Sequence, residues 1–392
     1  MSAPLTFDRP LDVARMRRDR HARLVQGMVD QGVDALVLLG QANVSYATGV
    51  RVPAADQARA IHRRPIAIVT ADGEPPHVWT WFADGAPDDL PADHVHQGLS
   101  LEWDEGARQL LDVLPGGQVA IDEFTMPLHG ALDGRQLADA TVTLSTAKAL
   151  KTADEVECIR RAQELNEAAI AAVAPTVTPG TRGTEVTGRF LRHLFELGAM
   201  GNSVDPIWQV MPSSIAEGPY TITGDVVFPT VTKDSPFAEG DLVWVDNGIS
   251  YEGYQSDYGH TWVIGRDPDE RQRSQCRRWR ELISHVLEVT KPGATARDLT
   301  RAAEELSGGR RPWLPHFYLA HGIGTDSAEM PFLGTDLGDE FDETVVLAPG
   351  MLMVLEPVIW EDGHGGFRAE EIVVVTDAGY DILSTLTWDG WE

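Results

Sequence analysis

Cysteine is almost absent from this chain, whose 392 residues include only Cys158 and Cys276. Two thiols cannot build a disulfide framework. Long apolar runs are also missing, because no stretch approaches the roughly 18 consecutive apolar residues that a membrane-spanning helix needs. Residues 1–20 lack the apolar segment of a signal peptide. We therefore expect a soluble protein of a reducing compartment, which we take to be the cytoplasm.

Basic residues are scarce relative to acidic ones, with 32 Lys and Arg against 60 Asp and Glu and a formal net charge of −28. Nucleic acids and anionic membrane surfaces are bound by clustered Lys and Arg, so this composition excludes both as partners. A hydrophobic content of 43% supplies a packed core and excludes global disorder. The acidic surplus is explained by a solvated surface alone, or by that surface together with carboxylates gathered at a cation site.

The length of the chain fits two domains. A helix is predicted at 12–31, and the strands that follow it alternate with further helical stretches, as in an α/β domain. These predicted strands lie at 34–39, 65–70, 77–82 and 118–124. Another predicted helix, at 152–174, begins the second domain. We therefore divide the chain into domains at 1–150 and 151–392.

The second domain repeats a pattern. From Val173 and again from Val286 the sequence reads as a helix, a Pro-Gly pair and a second helix, followed after a gap by a β-rich stretch at 242–264 or 351–375. One explanation is that helix–Pro-Gly–helix recurs by chance. The other is two duplicated α/β halves related by a pseudo-twofold axis, which would place a site at their junction.

Polar residues occur in the second domain where strand cores should be apolar. Asp246 ends a hydrophobic run, Asp257 begins another, and Gly253 between them suits a hairpin that would bring the two carboxylates side by side. His321 precedes Gly-Ile-Gly, and acids follow or interrupt apolar stretches at Glu356 and in the Glu-Glu pair at 370–371. A buried charge is costly unless it is paired or bound to a cation.

Each of these residues alone has an ordinary structural explanation, such as a capped turn or a hydrogen-bonded core histidine. Together, four carboxylates and one imidazole form a donor set that suits one or two divalent ions of Mn, Fe, Co or Zn. Four carboxylate charges would also balance two divalent cations lying about 3.5 Å apart. The sequence therefore predicts a metal site.

The order of these motifs resembles that of the pita-bread metallopeptidases, which include methionine aminopeptidase, prolidase, aminopeptidase P and the related creatinase. The shared motifs are Asp-x-Gly, a second Asp eleven residues later, His-Gly-Ile-Gly, Glu-Pro and Arg-x-Glu. The likeness extends to segments 17–49 and 150–162 and so covers nearly the whole chain. It implies an α/β (α+β) chain, with a creatinase-like N-terminal α/β domain and a C-terminal pita-bread domain of pseudo-twofold halves around a curved, mainly antiparallel sheet. Relatives of this type are homodimers.

The resemblance also implies roles for individual residues. The ligands of two divalent metal ions would be Asp246, Asp257, His321, Glu356 and Glu370. Glu356 would in addition relay a proton to the leaving nitrogen. Arg368 would lie on the substrate side of the site or, alternatively, act as a partner of Glu370.

The chain departs from the peptidase pattern at two places. The peptidases have a substrate-contacting histidine about seventeen residues before the first ligand Asp, where this chain has Pro229 and its neighbours. They have a second such histidine, seven residues after the ligand His, where this chain has Ala328. Groups that could compensate are Asp326 as a base, Glu329 as a base or substrate contact, and an imidazole from His316 or His364. Each of these is also explained as an ordinary structural or surface residue.

The leading hypothesis is a metal-dependent hydrolase that cleaves a C–N bond, of an amide or an Xaa-Pro peptide, through a metal-activated water. The substrate would be a short peptide or another small molecule. The missing histidines favour two alternatives, a hydrolase of the creatine or ectoine type and a lyase of the dimethylsulfoniopropionate type. A hypothesis of another class is a catalytically inactive binding module.

Overall fold

The structure is a computed structural model that describes residues 4–51, 63–101, 104–213, 234–388 and 390–391. The contacts between residues divide the chain into two compact units. The N-terminal unit contains residues 11–148 and 152–154. The C-terminal unit contains the described residues up to Pro10, residues 149–151, and the chain from Glu155 onward. Among the described residues, no helix is long and apolar enough to cross a bilayer.

The N-terminal unit is built on a six-stranded sheet in the order β4-β3-β2-β1-β5-β6. Its strands are β1 Ala35–Leu38, β2 Ile66–Thr70, β3 His77–Thr80, β4 Val95–Gln97, β5 Gln118–Ile121 and β6 Gln136–Asp139. β2 runs antiparallel to β1 and β3, whereas the β3–β4, β1–β5 and β5–β6 pairs are parallel. The helices named in this part of the chain are α1 Val13–Gln31, α2 Gln41–Thr48, α3 Asp104–Arg108, α4 Met126–Ala131 and α5 Thr141–Ala149.

The central strand β1 shows why this sheet is covered on both faces. Its four residues are all buried, and Leu36 and Leu38 pack into one apolar cluster while Ala35 and Val37 pack into another. A strand buried on both sides is expected to be continuously hydrophobic, as this one is. The strand predicted at 118–124 ends earlier, at Ile121, because the Asp122 carboxylate accepts hydrogen bonds from backbone N–H groups of the loop after β1.

The described residues of the C-terminal unit form three antiparallel assemblies: a sheet ordered β10-β8-β7 with β9 paired to β8, a sheet ordered β12-β11-β13-β16-β17, and the hairpin β14–β15. Its first strands are β7 Gly201–Val210, β8 Leu242–Tyr251, β9 Tyr254–Gln255 and β10 Tyr258–Val263. The later ones are β11 Ala320–Gly322, β12 Glu329–Leu333, β13 Leu352–Leu355, β14 Ile359–Glu361, β15 Gly365–Phe367, β16 Glu371–Val375 and β17 Tyr380–Ile382. The helices are α6 Ala153–Val173, α7 Gly183–Glu196, α8 Glu270–Val289, α9 Ala296–Glu305 and α10 Asp339–Thr344.

The helix pairs that repeat in the sequence have equivalent places in this unit. Apolar side chains of α6 and α7 share a core with the sheet of β7, β8 and β10. Those of α8 and α9 share a second core with strands β11, β13 and β16. Each half is thus a helix pair on an antiparallel sheet, which is the arrangement expected of duplicated halves.

The first described residues pack on the C-terminal unit. The Leu5 backbone N–H donates to the carbonyl of Leu197 over 2.9 Å, and the ring of Phe7 lies edge-on to Tyr251 with centroids 5.6 Å apart. The guanidinium of Arg161 lies 4.8 Å from the centre of the Phe7 ring. Residues 4–10 therefore form a short strap on a unit whose other residues follow much later in the sequence.

Candidate metal centre

Two carboxylates of the site come from the β8–β10 region. Asp246 lies within β8, and the turn after this strand has a left-handed backbone at Gly253, where φ is 83°. The chain then returns so that Gly259 of β10 lies opposite Asp246, with Asp257 immediately before β10. A Cβ atom added at Gly259 would lie 2.2 Å from Oε1 of Glu370, so glycine at this position makes room for the carboxylate of this candidate ligand.

The other three candidate ligands come from the second sheet. His321 lies in β11 between β12 and β13, Glu356 directly follows β13, and Glu370 directly precedes β16. The Glu356 N–H donates to the carbonyl of Leu319 over 3.1 Å, and the Glu370 N–H donates to that of Gly259 over 3.1 Å. The second of these bonds joins the two sheets at the site.

The five side chains converge. Carboxylate oxygens of Asp246, Asp257 and Glu370 all lie within 4.8 Å of one another. Nε2 of His321 lies 2.8 Å from Oε1 of Glu356 and 3.4 Å from Oδ2 of Asp257. Nδ1 of His321 lies 2.8 Å from the carbonyl oxygen of Gly322, so Nδ1 donates to that carbonyl and Nε2 faces the carboxylates.

Arg368 is placed among these carboxylates. Its NH1 group donates to Oδ2 of Asp246 over 2.9 Å, and its NH2 group lies 2.6 Å from Oε1 of Glu370 and also contacts Glu356. The guanidinium carbon lies 4.5 Å from the centre of the Trp244 ring. The contact with Glu370 agrees with the prediction that Arg368 is a partner of this candidate ligand. The alternative, that Arg368 contacts substrate, remains a prediction.

The charges at the site leave a surplus of acid. All four carboxylates are buried, and Glu356 and Glu370 are 0% exposed. Burial raises the pKa values of Asp246 and Glu370, although Arg368 opposes the shift in both. Glu356 has ion-pair contacts with His321 and Arg368, and Glu370 has one with Arg368.

One guanidinium and one imidazole do not balance four buried carboxylates, so the site has the charge expected of a cation-binding site. Carboxylate oxygens with a single imidazole are donors that suit divalent Mn, Fe, Co or Zn. The residues therefore fit the predicted metal centre.

The sequence matches two family descriptions in succession. Residues 20–150 match the Creatinase/Prolidase N-terminal domain, and residues 157–377, more than half of the chain, match Metallopeptidase family M24. The chain belongs to metallopeptidase family M24. The resemblance seen in the motifs is thereby confirmed.

Two curated members of the family illustrate the distance to known proteins. The chain is 33% identical to an Xaa-Pro dipeptidase of Pyrococcus furiosus and 30% identical to one of Pyrococcus horikoshii, in each case over 233 residues. These matches cover 59% of this chain and 61% of each relative. The chain thus spans about three fifths of the length of the curated relatives it matches.

Solved structures extend the likeness to nearly the whole chain. The prolidase from Pyrococcus horikoshii OT3 has a TM-score of 0.74 at 22% identity, covering 94% of this chain and 99% of that one. The X-Pro aminopeptidase from Thermotoga maritima has a TM-score of 0.74 at 21% identity, covering 94% and 98%. At these identities the likeness establishes the fold, and the predicted creatinase-like N-terminal domain and pita-bread domain are confirmed.

Glu329 and Asp326, which the sequence suggests as possible bases, lie in the segment after His321 of this M24 chain. Nζ of Lys151 lies 2.7 Å from Oε1 of Glu329, and both side chains are buried. Oε2 of Glu329 accepts a hydrogen bond of 3.4 Å from the backbone N–H of Asp326. Glu329 also lies against Gly324, because a Cβ atom added there would be 2.2 Å from Oε1 of Glu329. Glu329 thus holds the loop after the candidate ligand His321, whereas a base role for Asp326 remains a prediction.

The two candidate histidines lie at the surface. His316 is exposed, and its Nδ1 lies 2.7 Å from Oδ2 of Asp336. His364 is exposed in the turn between β14 and β15, where its backbone N–H donates to the carbonyl of Glu361. None of the contacts of the described chain joins either ring to the five candidate ligands. Ala328 is also exposed, and Pro229 lies outside the described residues.

Some residues of the site were not predicted. Trp244, under the guanidinium of Arg368, lies two residues before Asp246 on β8, and strand alternation could have placed both on one face. The ring of Tyr318 lies edge-on to His321, with centroids 5.5 Å apart. Lys151 is 178 residues from Glu329 in the sequence, and no local pattern indicates that pairing.

Proposed function

We propose that this chain is a metal-dependent hydrolase that cleaves a peptide-type C–N bond, such as that of an Xaa-Pro dipeptide, in a small substrate. The observation that carries the proposal is the convergence of the buried carboxylates of Asp246, Asp257 and Glu370 within 4.8 Å of one another. His321 contacts Asp257 and the buried Glu356 beside this group. The Xaa-Pro dipeptidases of Pyrococcus furiosus and Pyrococcus horikoshii support the choice of substrate.

The ligands in this proposal are Asp246, Asp257, His321, Glu356 and Glu370. They would hold two ions of the Mn, Fe, Co or Zn type, because four carboxylates balance the charge of two divalent cations. Such ions, when bound, lower the pKa of a water molecule to near 7 and polarise a carbonyl oxygen. Glu356 would accept a proton from the attacking water and pass it to the leaving nitrogen.

Arg368 would keep three of these carboxylates charged and in place through its ion pairs. Its side chain is 1% exposed and is also packed over Trp244, so the guanidinium is fixed in orientation. A preorganised cation at this position would also favour negative charge that develops on a substrate.

The test compares Asp257→Asn with Asp377→Asn, a matched change at an exposed position of the same unit. Metal content is measured by mass spectrometry, and hydrolysis is measured on a panel of Xaa-Pro dipeptides and small amides. We expect Asp257→Asn to lose bound metal and activity together, and Asp377→Asn to keep both. Normal metal content with full activity in Asp257→Asn would refute the ligand assignment.

Ala328 supports a second candidate, because an exposed methyl group stands where the peptidases have a substrate-contacting histidine. In this alternative the substrate is a small non-peptide of the creatine or ectoine type, or a compound that the enzyme cleaves by elimination, as a dimethylsulfoniopropionate lyase does. Reaction in ¹⁸O-labelled water distinguishes the two mechanisms, since hydrolysis incorporates the label into product and elimination does not.

The quaternary structure and location belong to the same proposal. We propose a cytoplasmic homodimer, which rests on the resemblance to creatinase-type proteins and on the low cysteine content. Analytical ultracentrifugation at micromolar concentration tests the dimer, and a monomer would refute it. Metal analysis also tests the binding-module alternative, for which a purified protein without metal would be the expected result.

A further inference from the structure

Tyr318 lies beside the candidate metal centre but is not one of the five candidate ligands. It comes two residues before β11, and its ring meets that of His321 edge-on, with centroids 5.5 Å apart and planes at 89°. The same ring is stacked on Phe317, with centroids 4.3 Å apart and planes at 13°. These two contacts fix the plane of the phenol ring next to a candidate ligand.

The charged groups of the centre act on the Tyr318 hydroxyl. Burial raises the pKa of this hydroxyl, and the Arg368 guanidinium opposes the shift. Three of the candidate ligands raise the pKa further, namely Asp257, Asp246 and Glu370. Nearby charges shift a pKa in this way. The hydroxyl therefore lies close to the carboxylates of the centre, in agreement with the contact of its ring with His321.

The hydroxyl is available as a hydrogen-bond donor. Tyr318 is half-buried, and no hydrogen bond of its hydroxyl occurs among the described residues. Tyrosine hydroxyls inside proteins usually have a partner. A phenol carries its proton at neutral pH, because its ordinary pKa is about 10. The centre thus has a neutral donor whose partner the described part of the chain does not supply.

Hydrolysis of a peptide-type bond needs a donor at such a place. As water adds to the carbonyl carbon, a C–O bond forms and the π bond of the carbonyl breaks, so negative charge develops on the carbonyl oxygen. Where the peptidases have a substrate-contacting histidine, this chain has Ala328, whose side chain is exposed and has no donor. The candidate replacements His316 and His364 also lie at the surface.

We propose that the Tyr318 hydroxyl is a catalytic donor, which binds the carbonyl oxygen of the substrate and stabilises the negative charge that develops on it. The proton stays on the phenol oxygen, so Tyr318 contributes a hydrogen bond and transfers no proton. This inference rests on the proposed function. A purely structural role, in which Tyr318 only orients His321, would need the ring but not the hydroxyl.

The experiment therefore removes the hydroxyl and keeps the ring. The variant is Tyr318→Phe, and the matched control is Tyr380→Phe, the same change at a half-buried position in β17. Metal content and melting temperature are measured first. Steady-state kinetics on Xaa-Pro dipeptides then give kcat and KM separately. Calorimetry of the metal-loaded proteins measures the affinity for a phosphinic dipeptide analogue, whose anionic tetrahedral group imitates the intermediate of hydrolysis.

We expect Tyr318→Phe to keep its metal and its melting temperature. Its kcat should fall by about 100-fold or more with KM nearly unchanged, because the hydrogen bond strengthens in the transition state. The analogue should bind roughly 10–100-fold more weakly, as expected for a lost hydrogen bond to a charged group. Tyr380→Phe should match the wild type in every measurement.

Two results would overturn the inference and leave the proposed function standing. One is an unchanged kcat and analogue affinity in Tyr318→Phe, and the other is loss of metal from this variant, which would place the action of the hydroxyl on the ligands. A metal-loaded wild type that hydrolyses no dipeptide or amide would instead refute the proposed function. The analogue titration then decides the inference alone, and an affinity that is absent, or equal in wild type and Tyr318→Phe, overturns it.

Discussion

The buried ion pair between Lys151 and Glu329 gives a quantitative prediction. At an effective dielectric constant of about 20, two unit charges 2.7 Å apart attract each other by about 6 kcal/mol. Desolvation offsets much of this, since the exposed fractions are only 1% and 8%. Removing one partner leaves the other charge buried without the opposite charge beside it. Lys151→Met or Glu329→Met alone should therefore lower the free energy of unfolding by about 3–5 kcal/mol.

The double variant Lys151→Met/Glu329→Met should be much closer to the wild type, because both buried charges are removed together. An exposed pair, Arg277 and Glu270, is the matched control. The nitrogen–oxygen distance of this pair is 2.6 Å, but its side chains are 53% and 80% exposed. Removing this ion pair should therefore lower the free energy of unfolding by less than about 1 kcal/mol.

The assay is urea unfolding followed by tryptophan fluorescence at fixed metal concentration, analysed as a double-mutant cycle. The reasoning is refuted if the single variants cost no more than the control, or if the double variant is less stable than either single one. Because Glu329 lies against Gly324, three residues after His321, the single variants should also bind metal more weakly.

Three further predictions concern the metal centre and its surroundings. Gly259→Ala should weaken metal binding, measured by calorimetry, because its Cβ would meet a ligand carboxylate, whereas Gly379→Ala has open space and should not. Arg368→Met should lower the melting temperature of the metal-free protein, and added Mn²⁺ should restore most of the loss, because the guanidinium and the metal ion balance the same carboxylates. An equal loss of melting temperature with and without metal would contradict this. Burial lowers the pKa of His260 to about 4, so between about pH 6.5 and pH 4 only the unfolded state binds a proton on this histidine. The wild type should therefore lose up to about 3 kcal/mol of its free energy of unfolding as the pH falls through this range. His260→Gln should remove this loss, and denaturation curves recorded across the range measure it.

The sequence predicts much of the site because buried acids in apolar strands are conspicuous. Asp246 and Asp257 are brought together by one hairpin, and a glycine in its turn marks it. The helix at 12–31 was likewise predicted by periodicity, and α1 Val13–Gln31 confirms it, with Asp12 as its N-cap.

Long-range pairs could not be predicted in this way. The contact of Lys151 with Glu329 joins residues in different strands and loops, and it depends on packing that no local pattern records. His316 and His364 were candidates because of their residue type. Whether a histidine lies at a site depends on the direction of its loop, and these two lie in exposed positions.

The strap formed by residues 4–10 has a consequence for how the protein is made. During synthesis these residues leave the ribosome before the N-terminal unit, whereas their partners Leu197 and Tyr251 emerge only after it. The strap therefore stays undocked while about 190 further residues are added, which takes roughly ten seconds or more at about 5–20 residues per second. The N-terminal unit is thus an insertion between two parts of the other unit, and a gene fragment that starts after this insertion would produce the C-terminal unit without the strap.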